Sequence, residues 1–290
     1  MTVPVVSVCI VSYNQENFIG QCLQSIVDQQ IEFPIEILVG DDCSTDRTRE
    51  ILLEYAKRYS YIKVFLHKKN IGPWENLLYV HKRAAGKYVS HLDGDDYALP
   101  GKLEAQYAFM EKHPDCNLVW HRMMSLSPNG VLKEDRIDAD RFPDKITADM
   151  IASLITVGAN SSKFYRNGSL NFEMPKFPVL DYLANIEQVK NSYGAFTNNN
   201  IYGVYRLGIG IATTSDFTKI TLGKTFLYLA SKYPKKKAFI NSACLMLMLV
   251  DLKNFRFTFF MYFGVWVRTF HVKCFFHFLK NYKLIKMLSY

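Results

Sequence analysis

Tyr88-Val-Ser-His-Leu-Asp93-Gly-Asp95-Asp96-Tyr-Ala-Leu-Pro100 is the stretch on which the fold turns. A strand-like run ends in Asp93, Asp95 and Asp96, and Pro100 is placed to open a helix. With only Gly94 between Asp93 and Asp95, the backbone can turn and crowd both carboxylates onto one spot. Like charges that close repel unless a cation lies between them. A hard divalent ion such as Mg²⁺ or Mn²⁺, with sites left open for phosphate oxygens, suits an all-carboxylate donor set. The plainer alternative is a polar turn that caps the next helix, since Asp favours turns and caps.

Upstream, strand and helix signals alternate. Val5–Val11 is a continuous apolar run, as expected of a strand buried on both faces. The next segment has Phe18, Cys22 and Ile26 at helical spacing, with Asn14 as a candidate cap. Ile35–Val39 reads as a second strand and Asp41–Asp46 as a polar loop. A helix with Ile51, Leu52, Tyr55, Ala56 and Tyr59 on one face follows, then a strand over Ile62–Leu66. Asn70-Ile71-Gly72-Pro73 is a turn into a helix that buries Trp74, Leu77, Leu78 and Ala85, with Gly86 as its C-cap. This order implies right-handed strand–helix–strand units and a parallel sheet. Ligands of such sheets bind beyond the carboxyl ends of the strands. Ser12–Asn14, Asp41–Asp46 and Asp93–Asp96 all fall at strand ends, and their coincidence marks one site.

Past Pro100 the pattern changes. A helix is expected to about His113, extended segments at Leu118–Met124 and Val131–Lys133, and an exposed charged loop from Lys133 to Lys145. Helices are expected over Ala148–Ile155 and Leu180–Val189, with an extended segment over Phe196–Tyr205.

The 290 residues carry a formal charge of +8, distributed unevenly. After Asp216 the only acid is Asp251, against a long series of lysines and arginines from Lys219 to Lys286. Ala238–Val250 is apolar but too short to span a bilayer, and Arg256 and Arg268 interrupt the aromatic segment Phe255–Phe270. Basic residues among Phe and Leu are the composition of helices that lie in a membrane interface. A helical pair packed on the core with a solvated basic face is the alternative. Nucleic acid is disfavoured as a partner because apolar residues outnumber polar spacers. The six cysteines show no zinc or redox spacing. Cys9 and Cys22 are expected to be buried thiols in a reducing compartment. No basic residue precedes the first apolar run and no small-residue cleavage site follows it, so a cytoplasmic chain is expected.

In order and spacing, five short motifs resemble the family-2 glycosyltransferases of the GT-A fold. They are Val8–Asn14, Asp41–Thr48, Asn70–Gly72 with Asn76, Ala85–Tyr88, and Leu92–Asp96. The resemblance implies an α/β GT-A fold, a mostly parallel Rossmann-like sheet flanked by helices, with a helical, basic and aromatic C-terminal extension. It divides the chain into a transferase domain over 1–218, with a nucleotide-sugar half at 1–100 and an acceptor half at 101–218, and a membrane-associating extension at 219–290. By the same resemblance Ser12, Tyr13 and Asn14 line the nucleotide pocket with Asn70, and Asp42 accepts a hydrogen bond from the base. Asp93 faces the ribose or sugar and joins Asp95 at a Mg²⁺ or Mn²⁺ ion on the diphosphate. Arg206 in Val204-Tyr205-Arg206 approaches the diphosphate. Relatives often carry a histidine two positions later, where this chain has Gly208, so a third protein ligand to the ion is not expected. Gly208, Gly210 and Thr213 suggest a loop that closes over the donor.

Asp181, at the start of a helix, resembles the family's general base, although Leu180 stands where an acidic residue or glycine is usual. An ordinary N-cap is the alternative for Asp181, a surface salt bridge for Arg206. Asp149, Glu173 and Glu187 are weaker candidates for the base. The expected activity is an inverting transfer from a nucleotide diphosphate sugar, UDP being the commonest carrier, to a lipid-linked or polysaccharide hydroxyl at the cytoplasmic face of the membrane, as in bacterial surface polysaccharide synthesis. A non-catalytic nucleotide-sugar or membrane-surface binding protein on the same fold is the main rival. A phosphohydrolase with Asp93 as nucleophile is disfavoured, because its motif belongs on the first strand.

Overall fold

The computed structural model describes residues 3–209 and 216–288; Gly210 and Thr213 lie outside the described residues. The chain divides into two compact units that do not follow it in order. The first is Met1–Asp135, Gly158–Ser169 and Gly194–Thr213, and the second is Arg136–Val157, Leu170–Tyr193 and Thr214–Tyr290.

The first unit holds a mixed sheet in the order β3-β2-β1-β4-β8-β6-β9-β5, with β7 beside β6. Its strands are β1 (Val6–Ser12), β2 (Ile35–Asp41), β3 (Ile62–Leu66), β4 (Tyr88–Asp93), β5 (Tyr97–Ala98), β6 (Cys116–Leu126), β7 (Leu132–Glu134), β8 (Phe164–Arg166) and β9 (Tyr193–Arg206). Strands β1 to β4 pair in parallel. The pairings of β8 with β4 and β6, of β7 with β6 and of β5 with β9 are antiparallel, so the parallel part ends at β4. The apolar run of β1 is buried on both faces, with Val6, Val8, Cys9 and Ile10 fully inaccessible.

Helices α1 (Ile19–Val27), α2 (Thr48–Arg58) and α3 (Pro73–His81) connect the parallel strands, and α4 (Lys102–Lys112) follows the carboxylate turn. Two local expectations fail. Asn14 does not cap α1, whose N-cap is Phe18; it sits at φ 52° and bonds the next loop instead. Gly86 is not the C-cap of α3, which ends at His81 and leaves Ala85 exposed. A Cβ on Gly86 would lie 2.6 Å from the Ser7 nitrogen, so this glycine lets the segment before β4 approach β1. The Gly86 N–H donates to Ser7 Oγ at 2.9 Å, and Ser7 donates to the buried Glu36 at 2.7 Å. Burial would raise the Glu36 carboxyl, but the Ala85 N–H, Lys63 and Ser7 outweigh it and hold its pKa down.

The second unit is helical: α5 (Ala148–Leu154), α6 (Asp181–Val189), α7 (Asp216–Lys232), α8 (Lys237–Lys253), α9 (Thr258–Arg268) and α10 (Cys274–Leu288). Thr147 caps α5 by accepting from the Met150 N–H, and the Tyr182 hydroxyl of α6 donates to the Ala152 carbonyl of α5 at 2.7 Å. Asn241 of α8 donates to the Trp266 carbonyl at 2.8 Å and to Thr269 Oγ1 at 2.9 Å, fixing α8 against the end of α9. Among the described residues no helix is long and apolar enough to cross a membrane.

Replacing Gly86 by Ala forces a methyl group into the backbone of β1 and is expected to cost about 2 kcal/mol, the scale of overpacking a tight core. The urea midpoint falls with the slope unchanged; an unchanged midpoint would show that the strands part without strain.

Candidate active site

The strand register sets the level of the site. Ser12 pairs with Asp41, Asp41 with Leu66, and Val11 with Asp93, so β1, β2, β3 and β4 end side by side. From β1 the chain steps outward to β3 and then returns to the other side of β1 at β4. The strand order thus reverses between β1 and β4, where open α/β sheets bind ligands.

Three loops interlock there. The Asn14 N–H donates to Ser44 Oγ at 2.9 Å, and Asn14 Oδ1 accepts from the Thr45 N–H at 2.8 Å. Asp42 is buried, and its two carboxylate oxygens take the N–H groups of Ile71 at 2.7 Å and Gly72 at 2.9 Å. It therefore shapes the Asn70–Gly72 turn, where Asn70 is exposed and accepts from the Gly72 N–H at 3.1 Å. The neighbouring Asp41, to which the sequence assigns no part, is fully buried; it accepts from the Ser44 N–H and hydroxyl and from Arg49 Nε at 2.8 Å. Tyr13 stays exposed, whereas Ser12 is buried with its hydroxyl lacking a partner among the described residues.

The carboxylate turn is held from three sides. Gly94 is needed for close approach: a Cβ there would lie 2.3 Å from Gln15 Oε1 and 3.0 Å from the Val11 carbonyl. Ser161 Oγ donates to Asp96 Oδ2 at 2.5 Å and accepts from the Asp93 N–H at 3.0 Å. His91 lies 3.1 Å from Asp93 Oδ1. The third clamp is Arg206, whose backbone N–H donates to Asp96 Oδ1 at 3.0 Å. Its guanidinium bonds the Asp95 carbonyl and Gln21 Oε1, with the Phe18 and Tyr97 rings 4.9 and 5.0 Å from its carbon. Arg206 is thus buried and bound to the carboxylate turn itself. Behind the turn Lys102, fully buried, donates to the Ser161 carbonyl at 2.7 Å, and burial lowers its pKa to about 8 against the pull of Cys22, Asp96 and Asp93.

The electrostatics of the turn are unbalanced. Burial and the Asp93 charge raise Asp95 to about 6. Burial, Asp93 and Asp95 raise Asp96 well above the usual carboxylate range. Burial would raise Asp93 too, but the His91 and Ser161 contacts and the Lys163 charge hold it below that range. Among the described residues no three His, Cys, Asp or Glu side chains form a ligand set for a metal ion. Two crowded carboxylates still fit a hard divalent cation that takes its remaining oxygens from a diphosphate and water. Burial is the larger cause of the raised Asp95, and the Asp93 charge adds to it.

Asp181 belongs to the second unit, where it opens α6 and is half-buried. A helix N-terminus favours an ionised carboxylate. Two weaker candidates for the base are tied up: Glu187 accepts from Lys232 at 2.9 Å and Tyr233 at 2.8 Å, and Asp149 from Lys236 at 2.5 Å. His91, Lys102, Asn160 and Ser161 escape the sequence reading. For Asn160 and Ser161 the small-residue run Gly158–Ser162 is the one visible signal, and nothing in it names a partner.

Residues 7–171 match the family model described as glycosyl transferase family 2. An uncharacterized protein of Mycobacterium tuberculosis is 37% identical over 139 residues, 47% of this chain, and the match spans 38% of that protein's length. The putative teichuronic acid biosynthesis glycosyltransferase TuaG of Bacillus subtilis is 30% identical over 208 residues, 70% of this chain and 79% of TuaG. Among solved structures, S. aureus TarS 1-349 in complex with UDP-GlcNAc superposes with a TM-score of 0.64 at 21% identity, over 82% of this chain and 71% of that one, a likeness of fold.

Asp95 sets a test of the carboxylate turn. A carboxyl raised in the folded state adds stability below its unfolded pKa, near 4, and that stability is lost as pH rises through about 6. Without divalent ions Asp95→Asn is therefore expected to raise stability at pH 7.5 by roughly 1–3 kcal/mol, and to change it little at pH 4. Thermal melts with and without Mn²⁺ check this: the wild type gains from the ion at pH 7.5, and the variant does not.

Proposed function

Since this chain belongs to glycosyltransferase family 2, we propose that it transfers a sugar from a nucleotide diphosphate sugar, with UDP as the carrier, to a hydroxyl of a lipid-linked or polysaccharide acceptor in surface polysaccharide synthesis. The observation that carries this reading is the carboxylate turn at the end of β4, with Asp95 raised to about 6 where the strand order reverses. Ser12, Tyr13, Asn14 and the Asn70–Gly72 turn shaped by Asp42 form the nucleotide side of the pocket. Asp93 and Asp95 would hold Mg²⁺ or Mn²⁺, and such an ion would supply Lewis-acid stabilisation of charge on the leaving diphosphate. Arg206 holds the turn that carries Asp93 and Asp95, through the Asp96 carboxylate and the Asp95 carbonyl. Asp181 takes the proton of the acceptor hydroxyl as general base. The acceptor oxygen bonds to the anomeric carbon as the bond to the diphosphate oxygen breaks, the electron pair leaves with the nucleoside diphosphate, and the configuration inverts. The name of TuaG supports the class of product, and the fold shared with a UDP-GlcNAc complex supports the class of donor.

The membrane part of the proposal rests on the second unit. The turn between α8 and α9 presents Phe255, 95% exposed, and Phe257, 90% exposed. Phe260, Phe263 and Val267 continue one outward stripe of α9 at helical spacing. On α10, Phe276, Leu279, Lys280 and Lys283 share an outward face. Asp251, the one acid after Asp216, is buried and bonded by Thr258, with Arg256 at 3.5 Å. These segments offer exposed aromatic and basic groups while their one acid is buried, which suits an anionic bilayer.

A binding screen against UDP-, GDP- and dTDP-sugars, with and without Mn²⁺, tests the donor site. One donor is expected to bind in a metal-dependent way, and Asp95→Ala to lose it. Asp181→Asn is expected to keep donor binding and lose at least 100-fold in transfer rate, the scale of general-base catalysis; full transfer in that variant would return the chain to a non-catalytic role. For the membrane face, sedimentation with phosphatidylglycerol vesicles is expected to carry the protein down and phosphatidylcholine vesicles to leave it in solution. The double change Phe255→Ser, Phe257→Ser weakens the binding. Self-association without vesicle binding would assign the face to a second copy.

A further inference from the structure

Helix α8 ends in a way that its own sequence does not favour. The Phe255 N–H donates to the Leu252 carbonyl at 3.2 Å, and the Arg256 N–H to the Asp251 carbonyl at 2.9 Å. This pair of bonds is the Schellman closure of a helix, which needs a left-handed residue just past the C-cap. The C-cap is Asn254, and the left-handed residue is Phe255, at φ 52°. Glycine takes that conformation freely and is the usual occupant. A phenylalanine sets its Cβ against the carbonyl that follows, which lowers stability.

The turn is held in this course from beneath. Asp251 is 3% exposed, and its carboxylate accepts from the Thr258 hydroxyl and lies 3.5 Å from Arg256 Nη1 and 4.0 Å from Lys219 Nζ. Lys219 in turn donates to Thr258 Oγ1 at 3.3 Å. The end of α8 is thereby tied to α7 and to the first turn of α9. The phenyl ring itself is 95% exposed, so contacts with its own chain offset little of the strain. A bulky residue in a left-handed position is a genuine outlier, and such strain gathers where a segment meets a ligand. The neighbouring residues indicate which ligand. Over the exposed run Leu252–Phe257, Leu252, Phe255 and Phe257 present apolar side chains, and Lys253 and Arg256 present cations. The run contains no acid, and Asp251 before it is buried. Rings that enter an acyl layer, beside cations that meet phosphates, match an anionic lipid surface.

We propose that the α8–α9 turn is a membrane wedge. Phe255 is kept left-handed, against the preference of the fold, so that its ring enters the acyl layer of an anionic bilayer while Lys253 and Arg256 meet the lipid phosphates. This rests on the membrane reading given above and narrows it to one turn and one depth of insertion.

Two substitutions separate the ring from the backbone. Phe255→Gly and Phe255→Ala both remove the ring, and only the glycine relieves the left-handed strain. In urea, without lipid, Phe255→Gly is expected to raise the unfolding midpoint by about 0.3 M and Phe255→Ala to leave it in place. On phosphatidylglycerol vesicles both variants are expected to bind about 10-fold more weakly than the wild type, the scale of one partly buried phenyl ring. Phe255→Trp reports depth: with phosphatidylglycerol brominated on its acyl chains, its fluorescence is expected to be quenched beyond the quenching seen in the wild type. Vesicle binding unchanged in both Phe255→Gly and Phe255→Ala, no added quenching in Phe255→Trp, or a midpoint lowered by Phe255→Gly would overturn the proposal. In those cases, with the wild type still bound to vesicles, the membrane reading would stand on the outward faces of α9 and α10. A wild type that bound no phosphatidylglycerol vesicles would remove both readings together. Self-association of the wild type without lipid, lost in Phe255→Gly, would assign the ring to a second copy and overturn the wedge.

Discussion

Mutual repulsion among Asp93, Asp95 and Asp96 is the constraint on which the first unit depends. Three carboxylates at the end of one buried strand do not stay together without help. The help comes from elements far apart in sequence: Ser161 from the turn before β8, Lys102 from the start of α4, and Arg206 from the end of β9. Each of these segments is itself held by the sheet. The antiparallel strands appended to the parallel half therefore act as the frame that brings counter-charges and donors to β4. Even so the balance is incomplete, as the raised Asp95 and Asp96 show. Strongly shifted carboxyl groups of this kind cluster at functional sites.

The sequence disclosed the parallel half of the molecule well, and for a physical reason. β1 is a nearly continuous apolar run because both faces are covered, and the polar residues that end β1, β2 and β4 stand out. Every strand and helix expected up to Asp96 is present, with errors at caps and at the end of α3, which stops at His81 and leaves Ala85 exposed. Asn14 and Gly86 both belong to residue types that punctuate helices, yet each is spent on a contact across the sheet, which no local pattern reveals. The clamps were harder to read. Lys102 looks like any surface lysine at a helix start, and only burial at the turn makes it part of the site. Arg206 was legible as a motif, but its engagement with the Asp95 carbonyl and Gln21 is a tertiary fact. Asp41 and Asp42 show the same limit: adjacent acids, one serving Arg49 and Ser44, the other the amides of Ile71 and Gly72.

In the second unit the sequence gives composition more readily than geometry. The helix expected over Leu180–Val189 is α6, and the segments singled out by composition, Ala238–Val250 and Phe255–Phe270, fall on α8 and α9. The sequence did not show that Glu187 would be enclosed by Lys232, Lys190 and Tyr233, because a glutamate on a helix is usually solvated. Nor did it show which aromatic residues face outward. Aromatics fill cores and coat interfaces alike, and only the accessible areas of Phe255, Phe257 and Phe276 separate the two uses here.

The bond between the Arg206 N–H and Asp96 spans 110 positions of the chain. A ribosome makes β1 to β4 long before it makes Arg206, and domains begin to fold during synthesis. The emerging protein thus passes through a stage in which the parallel strands can pair while the acidic turn lacks its last clamp. Contacts of such wide separation close late, because the intervening loop must first lose its freedom. Ordering of the acidic turn is therefore a late event in the biogenesis of the chain, and a nascent fragment ending before β9 would carry the acids without the clamp that gathers them.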